Sequence, residues 1–70
     1  MYLELTPEQR YTITAHTLLE EADECANSDR PDQDFVSALV WSASQFLDDA
    51  DIEHFLDVNP RVRQVMNGEI

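Results

Sequence analysis

The chain has 70 residues and a formal net charge of -11, with 15 Asp and Glu against four Lys and Arg. That length predicts one small domain over residues 1–70, which buries only about 60% of the surface its unfolded form exposes and is marginal in stability. The charge excludes direct binding to nucleic acid or an anionic membrane and steers the molecule towards basic surfaces.

Residues 1–5 alternate Met1, Leu3 and Leu5 with Tyr2 and Glu4, a pattern for a short extended segment laid across helices. Thr6, Pro7, Glu8 and Gln9 then spell a helix start: Thr as N-cap, Pro at the first helical position, Gln at the capping-box position. The first helix is predicted from Pro7 to about Ala26, with Tyr11, Ala15, Leu18, Leu19, Ala22, Cys25 and Ala26 as its apolar stripe. Ile13 falls outside that stripe. Asn27 to Asp34 is turn chemistry, with Pro31 opening a second helix and Asp32 and Asp34 in its favourable first turn. So short a loop predicts an antiparallel hairpin.

The second helix is the longest apolar stretch, Phe35 to Ala50, with Phe35, Val36, Leu39, Val40, Ala43, Phe46 and Leu47 on one broad face. Trp41 does not fit. It falls on the opposite side among Asp34, Ser37, Ala38, Ser44, Gln45 and Asp48, and implies a contact outside that face. Two origins stay open: the last helix or the N-terminal segment covers it, or it anchors an interface with a partner or a second copy, as Trp does at binding hot spots. Asp51 is expected to cap a short third helix, Ile52 to about Val58. Asn59 and Pro60 break it and start a fourth, to about Met66, stopped by Asn67 and Gly68. The expected fold class is therefore all-α, a small bundle made of an antiparallel helical hairpin plus two short C-terminal helices.

One cysteine cannot make an internal disulfide, so Cys25 is expected to be a buried thiol in a reducing compartment. No apolar run approaches the roughly 20 residues needed to cross a bilayer. The N-terminal decapeptide has no basic region followed by an apolar run, so no signal peptide is read and the cytoplasm is the expected location, a host's if the protein is viral.

The acids are grouped. Glu20, Glu21, Asp23 and Glu24 crowd the end of the first helix, and Asp29, Asp32 and Asp34 follow across the loop. Asp48, Asp49, Asp51, Glu53 and Asp57 form a second group at the other end of the hairpin. Carboxylates in the last turn of a helix oppose its dipole and cost roughly 0.3 to 1 kcal/mol each, so Glu21, Asp23, Glu24, Asp48 and Asp49 are poorly placed for stability, which points to a use outside the fold. Arg61 and Arg63 make the last ten residues the one positive segment, and pairing with the second acidic group is expected.

Stiff helices carrying carboxylates at intervals imitate a phosphate backbone and would block a nucleic-acid-binding protein by mass action. In size, charge and helical simplicity the chain resembles the small acidic inhibitors that phages encode against host machinery, anti-CRISPR and anti-restriction proteins among them. That resemblance is one of type, covers no defined part of the chain and assigns no residue a role. Abundant acid with few bases also suits solubility at high salt.

Asp49, Asp51 and Glu53 have the alternate spacing of a calcium loop, but His54 stands where the turn needs Gly and Pro60 where a bidentate Glu is needed. His16 and Glu20, one turn apart, lack the Glu-x-x-His spacing of carboxylate-bridged bundles. Neither a metal nor another cofactor is expected, and no glycine-rich loop or nucleophile arrangement argues for catalysis. The expectation is a protein-binding inhibitor or regulator that engages a basic surface through Glu20, Glu21, Asp23, Glu24, Asp29, Asp32, Asp34, Trp41, Asp48, Asp49, Asp51 and Glu53. The alternative is a homodimeric helical assembly module with Trp41 at the symmetric interface.

Overall fold

The computed structural model describes residues 4–70, and residues 1–3 of the extended segment expected at the N-terminus lie outside it. The regular structure of the described residues is all helix: α1 Pro7–Ala26, α2 Gln33–Ser44, α3 Asp49–Val58 and α4 Pro60–Met66. The expected capping box opens α1. Thr6 Oγ1 accepts from the Gln9 amide at 3.2 Å, and the Gln9 side chain accepts from the Thr6 amide at 2.8 Å.

α2 begins two residues later than Pro31 suggests, because Asp32 acts as its N-cap and accepts from the Phe35 amide at 3.1 Å. It also ends earlier than expected, at Ser44. Ser44 Oγ donates to the Trp41 carbonyl at 2.6 Å, and the Gln45 side-chain amide reaches the same oxygen at 3.3 Å. The backbone tightens at the same place to bonds three residues back, the Gln45 amide donating to the Ser42 carbonyl and the Phe46 amide to that of Ala43, and the chain turns. α3 accordingly starts at Asp49, with Asp48 as its N-cap, rather than behind an Asp51 cap, so Asp48 and Asp49 stand at the positive end of α3, where carboxylates are favoured, and not in an unfavourable last turn of α2.

α1 and α2 pack along each other as the expected hairpin, and α4 lies against both. The direction of the return is set by two contacts. Phe46 stacks on Tyr11 near the start of α1, with centroids 5.3 Å apart, whereas Arg61 reaches the Ala26 carbonyl at its end. α3 and α4 therefore carry the chain from one end of the hairpin back to the other.

The core is built from small side chains. Ala15, Leu19, Ala22 and Ala26 of α1 meet Val36, Leu39, Val40 and Ala43 of α2, with Val62 and Val65 of α4 closing one side. Its largest fully buried side chains are valines, Val36 and Val62. Alanines at the seam let the helices approach closely, and that closeness leaves no room for rings. Tyr11, Phe35 and Phe46, expected in the core, are 54%, 47% and 42% exposed. Cys25 is only half-buried. α3 has no fully buried residue; Ile52, Phe55 and Leu56 are half-buried against the core and Val58 is exposed.

α4 ends as its sequence predicts. Gly68 takes φ +73°, the Glu69 amide donates to the Gln64 carbonyl and the Gly68 amide to that of Val65, a Schellman closure. The Gln33 side-chain amide adds a bond to the Met66 carbonyl at 2.9 Å, tying the end of α4 to the start of α2.

Candidate surfaces for binding

Of the fifteen acidic side chains, only Glu53 and Asp57 make ion pairs among the described residues, both with Arg63, at 3.2 and 3.1 Å. The expected pairing of the C-terminal basic residues with the second acidic group thus holds for Arg63. Arg61 does something else: its Nε donates to the Ala26 carbonyl at 3.0 Å. α1 has no basic residue in its own last turn, so a cation borrowed from α4 meets the negative end of its dipole.

The remaining thirteen carboxylates have no cationic partner among the described residues. In the first group Glu20, Glu21, Glu24, Asp29, Asp32 and Asp34 are exposed, and Asp23 is half-buried with one oxygen accepting from the Asn27 side chain at 2.9 Å. Asp23, Glu24, Asp29, Asp32 and Asp34 lie at the loop end of the hairpin, with Glu20 and Glu21 one turn back along α1. The second group is less compact than its spacing suggests. Asp48, Asp49 and Asp51 stand near the turn after α2, while Glu53 and Asp57 trail back along α3 to Arg63. All five are exposed.

Because α3 rides on the bundle without burying a residue completely, a groove opens on each side of it. Between α1 and α3 lies one of about 470 Å³, floored by Leu19, Leu47 and Phe55, with His16 and Glu20 on one wall and Asp51 and His54 on the other. Both histidines thus face one space, a proximity no sequence spacing announces. Among the described residues no three His, Cys, Asp or Glu side chains converge as a metal site would require.

The second groove, of about 560 Å³, lies between α2, α3 and α4. Val40, Ile52, Leu56 and Met66 line it, Ser37, Ala38 and Ser44 supply short side chains on the α2 wall, and Trp41 stands beside them. Trp41 is 67% exposed, so neither the last helix nor any other described residue covers it. Its misfit on the second helix therefore marks a free ring at the edge of an apolar groove. Comparison with protein-family models, with curated proteins and with solved structures finds no match to this chain. No helix of the described residues is long and apolar enough to cross a membrane.

Proposed function

We propose that the chain is a small binding protein that inhibits or regulates a larger partner by occupying a basic surface, one that in the partner serves to hold nucleic acid. The observation behind this reading is the set of thirteen carboxylates without ion-pair partners among the described residues, most of them exposed. A fold selected for stability alone gains by placing bases in the last turn of α1, and this one carries Asp23 and Glu24 there instead, with Glu20 and Glu21 one turn before them. Rigid helices hold these charges in place, so a basic partner meets an ordered array rather than a diffuse cloud. Occupation then competes with a phosphate backbone for the same Lys and Arg side chains, and inhibition follows by mass action without chemistry. In the cell such a protein would share its partner's compartment, the cytoplasm of a host in the viral case.

The test is capture at low salt on the immobilised chain, followed by a salt step. A specific basic protein should be retained and then released, as interactions between exposed charges are screened over about 10 Å at 0.1 M salt. The variant Glu20→Gln, Glu21→Gln, Asp23→Asn, Glu24→Gln should retain much less of it. Equal retention by the variant, unaffected by salt, refutes the electrostatic mechanism.

A second reading has one observation in its favour. The exposed Trp41 beside Ser37, Ala38 and Ser44 suits a close helix–helix contact, which in a homodimeric assembly module would be α2 against α2. Sedimentation of the wild type and Trp41→Ala separates the two, since a monomer at all concentrations excludes the dimer.

A further inference from the structure

We infer that the groove between α2, α3 and α4 seats a basic amphipathic helical segment of a partner protein, its apolar face against Trp41, Ile52, Leu56 and Met66. This rests on the reading of the chain as a binder of basic surfaces, and it names the partner element.

The groove's volume, about 560 Å³, falls within the range of formed binding pockets. Its polar side chains are few, and the Ser44 hydroxyl is already donated to the Trp41 carbonyl. An occupant therefore gains by bringing apolar side chains, not hydrogen-bonding ones. Helix is the conformation that fits. The described residues form no strand whose edge an extended peptide could join, whereas helical walls accept a helix through apolar anchors spaced one turn apart. Short side chains at Ser37 and Ala38 let its backbone come close.

Charge decides between a foreign segment and a second copy. Asp34 lies one turn before Ser37 and Ala38 on α2, and Asp49 one turn before Ile52 on α3. A turn is about 5.4 Å, so these carboxylates stand within reach of Lys or Arg side chains on a seated helix. The nearby cation, Arg63, is already engaged by Glu53 and Asp57. A second copy would bring the same acids against themselves and join two chains of net charge -11.

The experiment uses the full chain and its single tryptophan as reporter. Two Trp-free peptides of identical Leu and Lys composition are titrated in, one with its Leu residues on one helical face, the other scrambled. The amphipathic peptide should shift Trp41 emission to the blue and bind at least about tenfold tighter than the scrambled one, the scale of a single hot spot. Ala38→Arg, at an exposed position where the fold is expected to survive, should weaken it at least about tenfold, with circular dichroism confirming retained helix. Equal binding of the two peptides, or unchanged Trp41 emission, overturns the groove assignment while leaving the general electrostatic reading standing. Equal affinity for a version with Gln in place of Lys overturns the acidic rim, and with it the charge argument under both. A concentration-dependent dimer in sedimentation, with Trp41 shifted in the absence of peptide, gives the groove to a second copy and also overturns the proposal.

Discussion

Arg61 and Arg63 stand two residues apart, and a count of ion pairs ranks them in the wrong order for stability. Arg63 makes two salt bridges, but its side chain is 42% exposed and both carboxylates are 67% exposed, so screening and side-chain entropy hold the total to about 0 to 1 kcal/mol. Arg61 makes none. Its part-buried bond to the Ala26 carbonyl closes α1 across 35 residues of chain and supplies the cation that the helix end lacks. A hydrogen bond to a charged group contributes about 1.5 to 3 kcal/mol, and the dipole contribution of roughly 0.3 to 1 kcal/mol is contained in it, so Arg61→Ala should cost about 2 kcal/mol. In a domain of this size that lowers Tm by about 8 to 16 °C. Both variants lose one positive charge from a strongly negative chain, so the change in global repulsion cancels between them. Urea unfolding followed by circular dichroism gives the comparison directly. Added salt should erase the Arg63→Ala cost and leave most of the Arg61→Ala cost. Arg61→Lys, which keeps charge but not the Nε geometry, should recover less than half. A cost for Arg63→Ala equal to or above that of Arg61→Ala refutes this account of how α4 is held.

Three further outcomes are expected. Gly68→Ala places a Cβ at φ +73° and 3.2 Å from the Gln33 side-chain nitrogen, so it should cost about 1 to 2 kcal/mol in urea unfolding; a neutral effect would show that the Schellman closure of α4 is dispensable. Ala22→Leu at the fully buried seam of α1 and α2 should lower stability by about 1 to 3 kcal/mol through overpacking, and a stabilised variant would mean that the helices part easily. Glu24→Gln, in the last turn of α1, should stabilise the fold by roughly 0.3 to 1 kcal/mol at low salt, read as a higher urea midpoint, and the gain should shrink as salt is added. A lower midpoint would remove the argument that the acids of this helix end are held against the interest of the fold.

Local chemistry made much of this molecule readable from its residues alone. Thr6 with Gln9 starts α1, Pro60 starts α4 and Gly68 stops it, because caps, a missing amide and a positive φ act within one turn and need no partner. The acidity and the odd placement of Trp41 were equally plain, being properties of composition and of helical phase. Where α2 stops is also a local matter, the apolar period running on past it, but only the packed structure decided that Phe46 leaves the core and stacks on Tyr11. The bond from Arg61 to Ala26 is likewise invisible at 35 residues' separation. So is the groove beside Trp41, whose walls come from three helices. Periodicity tells which residues share a face, but which faces meet, and how closely, depends on the volumes on both sides. Here a seam of alanines and valines drew the helices together and left the aromatic rings outside.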